Sequence, residues 1–366
     1  MALQTVWREE NAETSGGFGD PIQQSPVATK LVTRLTEADR RLVARAVEGF
    51  VPERVFDLHA HLFHTRHFAE GKRPSFLQVD TAFGISAWRS ALGRWLPGRK
   101  IEGLFFGFPS AGNDRAGENE FLAGEIDPVR GRTNHRALAL VAPEDDPAIV
   151  RAFVRHHGFV GLKPYRLYAS MEDTAQAEIE AFVPRWMWEL CHEIEGVLMI
   201  HLVRSAALAD PHNLAALERL CGEFPRCRVV LAHVGRCFNY RHATDGLPRV
   251  VALENVVVDT STITESAALR AALEILGPRR VLFGSDYMVS ELRAKCCTMG
   301  DGFAWVYADE LPSAAVTAFE NFTLIGIESL LCLREACESC GLGEADVRDV
   351  FHDNALRLLA PHRARR

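Results

Sequence analysis

Val55-Phe56-Asp57-Leu58-His59-Ala60-His61-Leu62 is a run of apolar residues interrupted by one acid and two histidines. It reads as a strand apolar on both faces, the pattern of a strand covered on both sides. With a side-chain period of two, Asp57, His59 and His61 share one face. The histidine Cα atoms then lie about 6.6 Å apart, close enough to clasp one metal ion. An HxH pair is weak evidence by itself, because exposed histidines often pair by accident.

Seven further runs of the same kind follow: Ile101 to Phe108, Arg136 to Val141, Phe159 to Pro164, Val197 to Val203, Arg228 to Val234, Val256 to Ser261 and Val281 to Ser285. Most are separated by enough chain for a crossover helix, as parallel strands require. Eight strand and helix units in roughly 250 to 320 residues predict an α/β fold, a closed (β/α)8 TIM barrel. A doubly wound open sheet is the alternative.

Residues 1–30 mix Gly, Pro, Gln, Ser and Asn without apolar periodicity and read as an N-terminal tail or arm. Residues 31–366 read as a single barrel domain that starts with a helix over Leu31 to Phe50, ended by Pro52, and finishes in a C-terminal helical segment. Between the first two strands, 65–100 reads as a helical insertion, with Phe83, Trp88, Leu92, Trp95 and Leu96 forming an apolar stripe. It is either a lid or dimer surface or a helix packed on the barrel.

The composition, 48% hydrophobic and 24% charged over 366 residues, is that of an ordinary globular chain. A net charge of -7 gives no basic field for nucleic acid or anionic lipid. The start, MALQTVWREENAETSGG, lacks a basic segment followed by an apolar run, so a cytoplasmic protein is expected. The apolar stretch Phe322 to Leu333 contains Glu328 and falls short of the roughly 20 residues of a membrane span. Nine cysteines lack a disulfide-framework spacing. Cys337 and Cys340 have CxxC spacing but follow a helix-like run, and Cys296-Cys297 lies beyond a strand end. HExxH, GxSxG and GxxxxGK motifs are absent.

The chemistry gathers at the carboxyl ends of the later runs, where active sites of such barrels sit. Val197-Leu-Met-Ile ends in His201, Val229-Val-Leu-Ala in His233, and Val281-Leu-Phe-Gly-Ser in Asp286. Such groups are costly among Val and Ile unless paired or bound to a cation, and a divalent metal supplies one common cause. Solvated caps at loop entrances are the bland alternative. In Gly161-Leu-Lys163-Pro-Tyr-Arg166 a lysine stands at the same height. It either bridges two metals after carboxylation, holds an anionic substrate, or snorkels to the rim. Arg166, Arg204, Arg236 and Arg293 follow the fourth, fifth, sixth and eighth runs. They are either inward forks for a small acidic substrate or surface arginines.

These residues resemble the amidohydrolase superfamily, and within it the amidohydrolase-related subfamily that includes aminocarboxymuconate-semialdehyde decarboxylase. The resemblance rests on Asp57-Leu-His59-Ala-His61, Ile200-His201, Leu231-Ala-His233-Val-Gly235, Gly284-Ser285-Asp286 and the closing Phe351-His-Asp-Asn354-Ala355-Leu-Arg357, and spans roughly residues 50 to 360. It implies a metal-dependent barrel with His59, His61, His201 and Asp286 as ligands. His233 then positions the nucleophile or substrate, or binds a second ion. A homo-oligomer is also implied. Two departures, Met288 where a proline is usual and Arg236 where a second glycine is usual, alter the substrate side of the rim, so the resemblance names no substrate.

The expected cofactor is one divalent ion, zinc first, with manganese, iron or cobalt close behind. Two ions are expected if Lys163 is carboxylated. Such an ion lowers the pKa of water from about 15.7 towards 7. Asp286 takes the proton and later delivers it to the leaving group, and His233 orients the water or polarises the scissile carbonyl. Asp57 suits an acceptor that fixes a ligand's tautomer, or a structural hydrogen bond. The expected activity is hydrolysis of a C–N or C–O bond in an amide, cyclic amide or lactone. Non-oxidative decarboxylation is the alternative, and a non-catalytic barrel that binds a small molecule is a third reading. A nuclease is disfavoured, since Lys163 stands where a glutamate is expected, and neither nucleic acid nor membrane is an expected partner.

Overall fold

The strand bearing the HxH pair, β1 (Arg54–His61), is buried along its length except at its first residue. The computed structural model describes residues 34–74, 77, 80–311 and 322–360, so the segment 1–30 expected as a tail lies outside the described residues. From β1 the parallel order runs through β2 (Lys100–Phe106), β3 (Arg136–Ala137 and Ala139–Val141), β4 (Gly161–Pro164), β5 (Val197–Ile200), β6 (Arg228–Leu231), β7 (Val256–Asp259) and β8 (Val281–Leu282). Each expected run carries one strand. The chain beyond β8 returns to β1. Leu58 N donates to Phe283 O (2.9 Å), Asp286 N to His59 O (2.7 Å) and His61 N to Tyr287 O (2.7 Å). These bonds close the sheet into a barrel and leave no open edge between its first and last strands.

A long helix follows each barrel strand: α1 (Glu37–Val47) precedes the barrel, and then come α2 (Ile85–Trp95), α3 (Arg115–Ile126), α4 (Pro147–His157), α5 (Arg185–Ile194), α6 (Pro211–Glu223), α7 (Tyr240–Val250), α8 (Ser266–Leu276) and α9 (Ile325–Ser339). The sequence explains their ends. Asp146 caps α4 by accepting from Ala148 N, and Gly158 ends it in a left-handed conformation at φ 64°. The helix expected within 65–100 is α2, which occupies the ordinary crossover between β1 and β2. Its stripe is buried against the barrel through Trp88, Leu92 and Trp95, with Trp88 Nε1 donating to Asp57 Oδ2 (2.9 Å) and Trp95 Nε1 to Glu291 Oε1 (2.9 Å).

Phe56, Leu58, Leu104, Phe106, Leu138, Val197, Met199, Val230 and Leu282 fill the barrel interior, two side chains each from β1, β2 and β5 and one each from β3, β6 and β8. Ala355 joins them from the terminal helix Asn354–Leu359, with Leu356, Leu358 and Leu359 packed beside it. Arg228, at the start of β6, donates to Leu358 O and Ala360 O, so this helix plugs the amino end of the barrel.

The register of β1 against β2 shifts between Asp57 and Ala60, where Asp57 faces Gly103 and Ala60 faces Phe105. The extra residue is a bulge, which re-aims the side chains beyond it. Phe56 and Leu58 point into the barrel while Asp57 points out to α2. The expectation that Asp57, His59 and His61 share one face therefore fails, because a period of two holds only in an unbroken ladder.

Beyond β8 a hairpin of β9 (Ala294–Met299) and β10 (Gly302–Tyr307) folds over the loop after β6, where Phe238 packs on Phe303 and Trp305. All nine cysteines are free thiols, and burial pushes the Cys296 thiol well up, so it is inert rather than activated. Cys337 packs inside α9. Among the described residues no helix is long and apolar enough to cross a membrane.

Candidate metal centre

Past the bulge, His59 and His61 reach the carboxyl end of the barrel. His61 Nδ1 lies 3.0 Å from Gly107 O, and His59 Nδ1 lies 3.0 Å from Asp259 Oδ2. A carbonyl and a carboxylate only accept, so each ring carries its proton on Nδ1 and bares its Nε2 lone pair. Both lone pairs meet one oxygen, Asp286 Oδ1, at 3.5 Å from His59 Nε2 and 3.3 Å from His61 Nε2. Three acceptors facing one another repel unless a cation lies among them. Ligands 2.0 to 2.1 Å from a tetrahedral ion stand about 3.3 Å apart, so the spacing fits a bound metal. Among the described residues, His59, His61 and Asp286 form one of two groups able to hold an ion.

The second group, His59, His233 and Asp259, is drawn together by hydrogen bonds instead. Asp259 Oδ1 accepts from His233 N (3.0 Å), while Oδ2 accepts from His59 Nδ1. Burial pushes the Asp259 carboxyl up, but His59 and the bonds around it hold it well below the usual carboxylate range. Burial likewise opposes ionisation of Asp286, and positive charge among the three donors is what offsets it. His59 itself is brought down to about 4 by burial, against the pull of Asp259 and Asp286, and is neutral at pH 7.

Strained backbone marks the same rim. His233, Val234, Gly235 and Arg236 all have positive φ (55°, 53°, 68° and 62°), and so does Asp286 at 55°. A β-branched Val in the left-handed region is an outlier that persists only where its surroundings over-determine it. Here the His233 ring is held through Nδ1 by Ser261 O (3.0 Å), Ser261 Oγ (2.9 Å) and Thr262 Oγ1 (3.1 Å), and it stacks on Phe238. Because Ser261 O only accepts, His233 also bares Nε2.

His201 continues the inward alternation of Val197 and Met199 and stacks on Tyr165, with its ring centroid 5.1 Å from that of His233. It belongs to neither ion-holding group. Its Nδ1 is buried without a hydrogen-bond partner among the described residues. Burial holds its pKa well below the ordinary value, helped by His233, Arg236, Lys163 and Arg166. Three cations therefore act on this imidazole. Lys163 is fully buried, with Nζ 4.9 Å from the Phe106 ring centroid and 5.3 Å from that of Tyr165.

The arginines divide. Arg166 and Arg236 are buried beside His201; Arg166 donates to Thr174 Oγ1 (2.7 Å) and Arg236 to Arg204 O (2.9 Å). Arg204 pairs instead with Asp210 (2.9 Å) and Gln176 O (2.9 Å). Arg293 forks onto Asp39 of α1 at 3.0 and 2.5 Å, so its guanidinium is spent on holding α1 rather than a substrate. Asp57, expected to fix a ligand's tautomer, touches no imidazole. Its carboxylate takes His59 N (3.2 Å), Ser285 N (2.7 Å), Ser285 Oγ (2.6 Å) and the Trp88 indole. The acid at His59 Nδ1 is instead Asp259, which apolar periodicity does not single out although Val256-Val-Val-Asp259 ends an apolar run in an acid, as Val281 to Asp286 does.

In sequence, no curated protein matches the chain. Among solved structures, a protein assigned as a 2-pyrone-4,6-dicarboxylic acid hydrolase from Pseudomonas putida is 18% identical, with a TM-score of 0.52 over 84% of this chain and 98% of that one. The 5-carboxyvanillate decarboxylase of Sphingomonas paucimobilis is 14% identical, with a TM-score of 0.50 over 84% and 99%. A zinc-bound amidohydrolase from Burkholderia multivorans gives 14%, 0.50, 84% and 99%. At such identities these neighbours speak for the fold, the TIM barrel of amidohydrolases. The family model described as amidohydrolase, Amidohydro_2, matches residues 114–360. That span includes His201, His233 and Asp286 and begins after β1, so the paired histidines rest on geometry. With about two thirds of its length matched, the chain belongs to the amidohydrolase family.

Proposed function

We propose that this chain is a metal-dependent hydrolase that cleaves a C–N or C–O bond, in an amide, cyclic amide or lactone, of a small acidic substrate. The observation that carries the reading is the convergence of His59 Nε2, His61 Nε2 and Asp286 Oδ1 at 3.3 and 3.5 Å, each ring with its proton held on the far side. His59, His61 and Asp286 would hold the ion, with His201 beside them, and zinc is the first choice for imidazole and carboxylate donors. A bound divalent cation supplies Lewis-acid chemistry, polarising a carbonyl and easing deprotonation of water.

The chain's own residues do the rest. Asp286, buried and ionised, accepts the proton of the attacking water and returns it to the departing nitrogen or oxygen. His233, fixed through Nδ1, turns its Nε2 towards the same space and orients that water. Arg166 and Arg236 hold the substrate carboxylate, and the apolar walls around His201 keep bulk water out. Lys163 sits against two aromatic faces, the stance of a cationic amine, which favours one ion and a charged lysine over a carboxylated bridge.

Non-oxidative decarboxylation is the second reading. The aromatic rings of Phe106, Phe108 and Tyr165 around His61 and His201 favour it, since they would suit an aromatic acid. Under either reading residues 31–366 act as one barrel domain, with the helix of 65–100 serving as the β1–β2 crossover, and the protein is a cytoplasmic homo-oligomer working on small molecules.

The test is elemental analysis of the purified protein together with product assays. About one equivalent of metal, lost in both His59→Ala and Asp286→Ala, supports the reading, and full retention in both ends it. Acid release from lactones or amides supports hydrolysis. Carbon dioxide release from aromatic acids in its place supports the second reading.

A further inference from the structure

Asp259 ends β7, is fully buried, and reaches two histidines of the centre at once. Its Oδ2 accepts from His59 Nδ1 (3.0 Å), and its Oδ1 accepts from His233 N (3.0 Å), Ser261 N (3.1 Å) and the Ser261 hydroxyl. Resting on the metal-centre reading, we propose that Asp259 is a positioning residue that locks His59 in its ligating tautomer and fixes it relative to His233.

The asymmetry between its two oxygens makes the claim specific. Two of the three donors at Oδ1 are backbone N–H groups, which cannot turn away, so the atom in that corner must be an acceptor. In Asp259→Asn the amide oxygen is therefore forced into the Oδ1 corner and the NH2 group faces His59. A donor now points at Nδ1, which must become the acceptor, and the ring proton moves to Nε2. That is the atom that faces Asp286 Oδ1. The substitution keeps size and shape while removing the lone pair a metal needs. Asp57 cannot compensate, since it holds only the backbone N–H of His59.

The experiment combines nitrogen NMR of histidine-labelled, metal-free full-length protein with calorimetric titration of zinc. In the wild type the His59 proton is expected on Nδ1. In Asp259→Asn it is expected on Nε2, with zinc affinity lower by about 10- to 100-fold. In Ser261→Ala the tautomer is expected unchanged, because the two backbone donors still hold Oδ1. A wild-type His59 protonated on Nε2 overturns the proposal, and this measurement decides even if the Asn variant does not fold. An Asn variant with the wild-type tautomer or wild-type zinc affinity also overturns it. Failure of the wild type to bind zinc would instead strike the metal-centre reading and leave the tautomer result standing.

Discussion

Trp88 of the first crossover helix donates its indole N–H to Asp57 directly behind the paired histidines, at 2.9 Å. The same carboxylate takes the backbone N–H of His59 and both the N–H and O–H of Ser285, the neighbour of Asp286. One buried acid thus joins α2, β1 and the end of β8. Burial raises its pKa to about 6 and its donors pull the other way, so it is ionised at neutral pH. Asp57→Asn would turn an NH2 group against donors. It is expected to cost about 1 to 3 kcal/mol in urea unfolding. Trp88→Phe, which removes one of four donors, is expected to cost less. A neutral outcome for Asp57→Asn would remove this junction from the account.

Metal removal is expected to lower the melting temperature. An ion that binds only the folded state adds about 2.7 kcal/mol at 100 times its dissociation constant. Thermal melts with and without zinc after chelator treatment should show the gap in the wild type and close it in Asp286→Ala.

Glu118 carries a pH signature. It is fully buried on α3, with His67 Nδ1 3.6 Å away, and burial raises its pKa from 4.5 to about 9. Between those values the folded state holds a proton that the unfolded state has released. Stability therefore falls as pH rises through that window. Glu118→Gln, which cannot ionise, is expected to flatten the decline between about pH 5 and 9 in denaturant titrations. An unchanged slope would show that another group sets it.

The arginines should separate by assay. Arg166→Gln and Arg236→Gln are expected to cut kcat/KM for an acidic substrate by about 10- to 100-fold each, mostly through KM, as lost charged hydrogen bonds do. Arg293→Ala should leave KM alone and destabilise the fold by about 3 kcal/mol, because Asp39 stays buried without its fork. Asp39 is held at about 2, burial notwithstanding, by Arg293 and its hydrogen bonds. Its contribution is present above pH 3.8 and fades as pH falls through 2. Equal KM effects from all three arginines would contradict the division seen here.

The eight strands and the positions of His59, His61, His233 and Asp286 were legible because apolar runs ending in a polar group write the rim of a barrel into local sequence. The roles of Asp57 and Asp259 were not. A bulge leaves no mark in a hydrophobic alternation, so alternation alone puts Asp57 on the face of the histidines. Asp259 acts through contacts with β1 and β6, far away in the chain, and nothing near it announces them. The arginines show the same limit. Arg204 and Arg293 follow strand ends just as Arg166 and Arg236 do, and only Asp210 and Asp39, supplied by other elements, divert them.

Sealing of the barrel floor by Asn354–Leu359, together with closure of β8 on β1, has a consequence for biosynthesis. While the chain is still emerging from the ribosome, the two histidines of β1 have neither Asp286 nor a finished wall to lean on. On the metal-centre proposal, ion capture then waits for the last secondary elements to arrive, which makes loading a late event.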